Sequence, residues 1–340
     1  EFTKDYHERT ELVAYRFFFG VVGGILMGIF VFTVIFSNDP ASPGGILDAS
    51  GYLEYAAIAA PLMALAIFVS TIGTHGRISL LVEPPPVVRQ NFWRTVKEMA
   101  STLFDRTNAP ILVGSIFGSM AGGLNAALTI YMQTYFWELT ADMIALLAAS
   151  GLLGVALAFV VVLPVSKMFG KKRTTLALYA VTLVGVVAPV ILRLAGLFPG
   201  NESPVLVPVL FVFMTVVAMA VVTASILVAS MVADVTDQIL LKTGRQSEGL
   251  IFSATTFVGK TVSGMGVLVS GLILTLVGFP EGAKPGAVDI AIVHDLAFWF
   301  ALATLVFTSM ALVIMSFYPV TEDDHRNAVE EIARQRAAES

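Results

Sequence analysis

Long apolar runs, broken by short polar segments, organise this chain from end to end. Eight runs are long enough to cross a bilayer, since a ~30 Å hydrocarbon core needs about 20 helical residues. They lie near 13–36, 52–74, 109–132, 142–167, 174–197, 204–232, 247–277 and 291–318. The pattern predicts eight transmembrane helices, the fourth and fifth separated only by the turn KMFGKKR (167–173). Segment 75–108 behaves differently. Val88, Phe92, Val96, Met99 and Leu103 recur at helical spacing, with Trp93, Arg94 and Lys97 beside them. That pattern predicts an amphipathic helix, either lying on the membrane surface or serving as a solvated linker. The tail after 320 is polar, and Thr321 with Asp324 has the spacing of a capping box, which predicts a short terminal helix.

Charge then orients the spans. All of the lysines and arginines except Arg16, Arg193, Lys260 and Lys284 fall in 1–12, 75–108, 167–173, 233–246 and 319–340. These are alternate loops, so one side of the membrane is basic. The positive-inside rule makes that side cytoplasmic. Eight spans then place both ends of the chain, and so its C-terminus, in the cytoplasm. Composition agrees with the class. The chain is 56% hydrophobic and 13% charged, with a mean hydropathy of +0.83. A soluble domain carries about twice that share of charge. There is no cysteine, so disulfides and thiolate metal sites are excluded. The opening EFTKDYHERT has neither an initiator methionine nor a signal peptide's basic start. It reads as an internal loop, and the natural protein is expected to extend upstream.

Small residues recur at four-residue spacing, which in lipid lets helices approach closely. Gly114, Gly118 and Gly122 form one such stripe, Gly20 and Gly24 another, and Gly259–Ser263 and Gly266–Ser270 surround Lys260. Tyr131, Tyr135, Phe136 and Trp137 close the third span, where aromatic rings favour the interface. An aromatic belt is the first reading of them, and stacking of a sugar on a ring such as Tyr131 is the second. Asn125 lies within the same span, where an amide needs a partner. It serves either as a helix–helix bond or as a cavity-lining donor.

The most informative position is Lys260, in TTFVGKTVSGMG (255–266). It stands about 13 residues into its span, roughly 20 Å along a helix at 1.5 Å per residue. A charge there costs at least ~2.5–3.5 kcal/mol on insertion scales. Its stem is too short to reach either interface from the centre, so it is expected to face a watery cavity or a carboxylate. No acid of this chain is placed to be that partner, because Glu54, Glu138, Asp142 and Asp295 fall near outer ends. Arg16 sits about one turn inside the first span and is either an anchor or a cavity-facing guanidinium. The polar stretch ADVTDQILLKTGRQSEG reads as a cytoplasmic loop. Its Asp234, Asp237, Lys242, Arg245 and Glu248 can form ion pairs between helix ends that act as a gate.

Two of these segments carry a resemblance. AD-VTD, then TGRQSEG and FSATTFVGK, together with the opening DYHERTELVAYRFFFG, resemble the glycoside–pentoside–hexuronide:cation symporters, the melibiose-permease branch of the major facilitator superfamily. The resemblance implies an all-α polytopic membrane protein of the major-facilitator fold, with the eight spans as helices 5–12 of 12. Residues 1–74 would be the last two helices of the N-terminal bundle and 75–108 the central cytoplasmic loop. Residues 109–320 would be the C-terminal six-helix bundle, and 321–340 the tail. It implies substrate between the bundles near the midplane, with the halves rocking around it. Lys260 matches the lysine of the family's eleventh helix, near its sugar and cation sites. Arg16 resembles the arginine of the fifth helix, one residue earlier than the family has it. Asp234, Asp237, Thr243, Gly244, Arg245 and Glu248 match the cytoplasmic gate motif.

The function expected from these readings is secondary active transport in the plasma membrane: symport of a sugar, glycoside or related solute driven by Na⁺ or H⁺. The coupling ion's site would lie mostly in upstream helices, with no metal site or other cofactor in this chain and no nucleic-acid partner. A lysophospholipid transporter of the same fold and a non-transporting structural or regulatory membrane protein are the alternatives. An enzyme is not expected. His7, His75, His294 and His325 all lie away from the span centres, and no nucleophile–base set is present.

Overall fold

The computed structural model of the chain describes residues 19–20, 22–35, 49–76, 105, 108–243 and 248–319. Among them the regular structure is entirely helical. The helices are α1 (Val22–Ile35), α2 (Ala49–His75), α3 (Ala109–Tyr131), α4 (Ala141–Phe169), α5 (Lys171–Leu194), α6 (Leu206–Thr243), α7 (Glu248–Leu276) and α8 (Ile290–Ser316). Seven of these, α2 to α8, are long and apolar enough to cross a membrane, so the chain is a multi-pass membrane protein. They match the second to eighth predicted spans to within a few residues, except at the end of α6. The start of the first predicted span, the amphipathic segment 88–103 and the tail helix fall outside the described residues.

Two local features depart from plain helices. The turn between α4 and α5 is a single residue, Gly170, at φ 76°. That left-handed conformation costs glycine little, and here it lets one long helix end and the next begin at once. At the other end, α3 continues into a π-helical turn, Met132–Phe136. One correction concerns α6. The stretch expected to be a loop from Ala233 is helical as far as Thr243. The sequence has neither glycine nor proline between Pro208 and Gly244, so nothing in it stops the helix. Its apolar run gives way to charge at Asp234 and Asp237, and the helix continues for about two further turns to Thr243.

The chain divides into two compact units. The first comprises Glu1–Gln90 with Thr140–Leu152, and in it Ile25 of α1 lies against Gly151 of α4. The second comprises Asn91–Leu139 with Leu153–Ser340. Within it α3 packs along both α7 and α8, while α5 packs along α6 and α8. Lipid tails are as apolar as leucine, so close van der Waals packing rather than water exclusion holds such helices together. The α3–α7 crossing shows this best. A Cβ on Gly123 would lie 2.8 Å from the backbone carbon of Ser263, and one on Gly266 would lie 2.7 Å from the backbone nitrogen of Leu124. Neither position has room for a methyl group. Gly154 of α4 meets α6 as closely, with Thr215 O at 2.8 Å from its would-be Cβ. At the basic end, Ile111, Met231, Val232, Val235, Ile251, Met315 and Tyr318 form one buried cluster that ties α3, α6, α7 and α8 together.

The glycine stripe expected on α3 is only partly a contact. A Cβ on Gly114 would lie 3.5 Å from Ala311 O of α8, whereas one on Gly122 would meet nothing within 4 Å. The close approach belongs to Gly123, which the four-residue spacing skips.

Candidate functional site: the exposed stripe of α7

Helix α7 begins at Glu248, and nothing in its sequence interrupts it before Leu276. Its residues divide by angle. Gly259, Ser263 and Gly266 share the side against α3, where a Cβ on Gly259 would lie 3.5 Å from the Ser119 hydroxyl. About 100° round from that side, at 3.6 residues per turn, lie Thr256, Lys260, Gly264, Val267 and Gly271, all exposed. A further ~100° round come Phe257, Met265, Leu268, Leu272 and Leu276, each more than half exposed. So α7 has one side sealed against α3 and two open sides of different chemistry. The bulky side is of the kind that faces lipid. The other is narrow and lightly built, and it carries the one charge of the span.

Lys260 therefore stands exposed in the middle of a span, and its ammonium makes no ion pair or hydrogen bond with any other described residue. Its backbone is locally engaged, since the Ser263 hydroxyl donates to Lys260 O at 2.8 Å. A cation at this depth is tolerated where water, a counter-charge or a polar solute meets it. Thr256 precedes it by one turn, and Gly264 follows by one turn. The pattern leaves the ammonium flanked by a hydroxyl-bearing side chain and by open backbone, an arrangement suited to a hydroxylated or charged solute.

The other predicted residues are placed as follows. Asn125 of α3 donates through Nδ2 to Ala121 O at 2.8 Å and to the Thr304 hydroxyl of α8 at 3.5 Å. The second of these contacts joins α3 to α8. Tyr131 stacks on Tyr135 at 6.1 Å between centroids and meets the edge of Phe279 at 5.4 Å. The Tyr135 hydroxyl donates to Ala283 O at 2.7 Å. Tyr135, Phe136 and Trp137 are all buried, which corrects the expected aromatic belt. The rings are enclosed because the segment after α7 folds back over the π turn and Phe198 covers Trp137 at 5.5 Å. Asn201 completes this outer knot by donating to Phe136 O, and it accepts from Arg193. Arg16, Gly244 and Arg245 fall outside the described residues. Thr243 ends α6, Glu248 opens α7, and Asp237 lies in the last turns of α6.

Asp234 has a partner that the sequence reading missed. Lys171, the first residue of α5, donates to both of its carboxylate oxygens, at 2.7 and 2.8 Å. The carboxylate is buried, and the lysine is about one-third exposed. The expected partners of Asp234 were charges of its own segment. The pair joins α5 to α6. The available signal was the lone acid at the end of an apolar run, facing the same side of the membrane as KMFGKKR. Lys172 is engaged as well, donating to Tyr318 O at 2.7 Å.

Comparison with known proteins gives two findings. A family model described as MFS/sugar transport protein matches residues 1–322. A protein of Bacillus subtilis (strain 168), described as "Uncharacterized symporter YjmB", is 26% identical over 238 residues, which covers 66% of this chain and 47% of that protein. The chain thus spans about half the length of the curated relative it matches.

Proposed function

The chain belongs to the MFS/sugar transport protein family, and from that premise we propose that it works as part of a secondary active transporter. In this reading a Na⁺ or H⁺ gradient drives uptake of a sugar, glycoside or related solute by alternating access. The observation that carries it is Lys260, a cation exposed at mid-span on the narrow side of α7, whose ammonium has no partner among the described residues. The symporter description of the Bacillus relative supports the coupling. Residues 109–320 act as one six-helix bundle, and 1–74 contribute two helices to the other. The segment 75–108 connects them, and 321–340 form a tail on the cytoplasmic face of the plasma membrane. Arg16 and Tyr131 remain candidates for solute contact. The Lys171–Asp234 pair supports the assignment of the 234–248 motif to a cytoplasmic gate, because a charge-assisted bond between helix ends holds one arrangement until it is broken. The carboxylates that hold the coupling ion have no counterpart among the acids of this chain, and the proposal assigns them to other helices of the transporter.

The chemistry asked of Lys260 is electrostatic. Its ammonium compensates the ionised coupling carboxylate when the ion is absent, so the empty site carries little net charge as it crosses between the two states. Lys260→Met in the full-length protein removes that compensation with little change in volume. Accumulation of solute against its gradient should fall at least ~10-fold, the factor for each ~1.4 kcal/mol of lost coupling, while downhill equilibration continues. The measurement is radiolabelled uptake by energised vesicles over a panel of sugars and glycosides, with Na⁺ and H⁺ gradients imposed separately. Undiminished accumulation by the variant would overturn the role of Lys260. Transport of lysophospholipids with no response to any sugar would replace the solute class.

A further inference from the structure

An apolar groove runs between α5 and α6, on the outside of the second unit. It is about 390 Å³ in volume, and Ala180, Val181 and Val184 line one wall while Val212, Phe213 and Val216 line the other. Its rim is open, with Val184 60% and Val212 61% exposed. Both helices cross the membrane along this stretch, so the material available to fill the groove is hydrocarbon chain.

The position of Arg173 makes this more than ordinary lipid-facing surface. Arg173, Ala177, Ala180 and Val184 follow one another at i, i+4, i+7 and i+11, which is one face of a helix. Arg173 and Ala177 are exposed on that face. Arg173 also stands apart from its two basic neighbours. Lys171 is held by Asp234 and Lys172 by Tyr318 O, whereas Arg173 makes no ion pair or hydrogen bond with any other described residue. It lies seven residues before Ala180, so ~10 Å along the helix at 1.5 Å per residue. That offset is the one between a phosphate at the membrane surface and the upper part of its own acyl chain. An arginine at a span end extends its stem along apolar surface and keeps its head at the interface. The guanidinium fork then meets phosphate oxygens two at a time. Basic side chains at membrane level between spanning helices are the recurring means of holding an anionic headgroup.

We propose that this groove and Arg173 together form a binding site for an anionic diacyl phospholipid of the leaflet on the protein's basic side. One acyl chain lies in the groove between Val184 and Val212, and the phosphate lies on Arg173. The site is independent of the solute path on α7, and it would tie α5 to α6 beside the Lys171–Asp234 pair.

The test uses the full-length protein, purified and re-lipidated with equal amounts of phosphatidylglycerol and phosphatidylcholine. Native mass spectrometry reads the retained lipids, and thermal unfolding reads their effect. Wild type should retain phosphatidylglycerol preferentially and gain stability from it. Arg173→Gln should cut that preference about fivefold, a basic group near an anionic surface being worth ~1 kcal/mol. Arg173→Lys should keep most of it. Lys167→Gln, which removes another exposed cation of the same side from α4, should leave it unchanged. Val184→Phe, which fills the groove, should lower retention of both lipids with Arg173 intact. Equal retention of the two lipids by wild type would overturn the proposal, as would an equal loss in Arg173→Gln and Lys167→Gln. Full retention by Val184→Phe would remove the acyl chain from the groove.

Discussion

The two sides of α7 are built from the same kinds of residue and do opposite things. Toward α3 the helix presents Gly259, Ser263 and Gly266, and at Gly266 the neighbouring backbone comes so close that a methyl group has no space. About 100° round it presents Thr256, Gly264 and Gly271, and nothing lies within 4 Å of a Cβ on either glycine. Glycine on the first side is a requirement of packing. On the second side it leaves open space beside Lys260. A small residue in a membrane helix therefore marks either a close neighbour or open space, and only the packing decides which.

Substitution by alanine separates the two sides most sharply, and the sealed side gives the largest effect. Gly266→Ala puts a carbon against Met120 O and Leu124 N, both of them backbone. No rotamer change relieves the clash, so α3 and α7 must move apart. Overpacking of this kind costs ~1–3 kcal/mol, and the helix-propensity gain of up to ~1 kcal/mol does not offset it. Thermal unfolding in detergent should show a clear fall for Gly266→Ala and a similar one for Gly123→Ala. Unchanged melting temperatures would mean that the crossing is looser than described, and the contrast between the two sides would go with it.

The next effect contrasts Lys260, which has no partner among the described residues, with the paired Lys171. Asp234→Ala leaves Lys171 at the end of α5 without its carboxylate. The lysine is about one-third exposed, and Asp234 is buried. Water can recover part of the lost interaction, so the cost should be ~1–2 kcal/mol, within the range for removing one partner of a charged hydrogen bond. Lys260→Met should show the reverse profile, with stability held and accumulation lost. A large drop in melting temperature for Lys260→Met would make that lysine structural and erase the distinction.

How much of this was legible in the sequence follows from what lipid does to sequence patterns. Span existence was plain, because length and hydropathy are enough to find α2 to α8. Lys260 was plain as well, since a lone charge amid apolar residues needs no alignment to stand out. Which side of a helix meets which neighbour was not legible. In water, apolar residues mark the buried side, but in a bilayer both sides are apolar and the signal vanishes. The four-residue stripe Gly114–Gly118–Gly122 therefore looked like the contact, while Gly123 makes it. The rings at Tyr135 to Trp137 looked like an interfacial belt for the same reason. Their covers, Phe279 and Phe198, come from distant parts of the chain. The helical extension of α6 was hidden by its charges, which suggest a loop although they do not break a helix.

The smallest expected effect tests the open side directly. Gly264 lies one turn beyond Lys260, and a methyl group there meets nothing within 4 Å. On stability alone alanine should do slightly better than glycine, by ~0.5–1 kcal/mol, because a helix-interior glycine gives up more backbone freedom on folding. If this side of α7 only faced lipid, transport would be untouched and stability slightly raised. If it lines the path of the solute past Lys260, the same methyl narrows that path. The half-saturation concentration should then rise a few-fold while melting temperature holds or increases. Stability and uptake of Gly264→Ala therefore move in opposite directions if the narrow side of α7 is the solute's side. A gain in stability with unchanged uptake would assign that side to lipid and leave Lys260 without a path to serve.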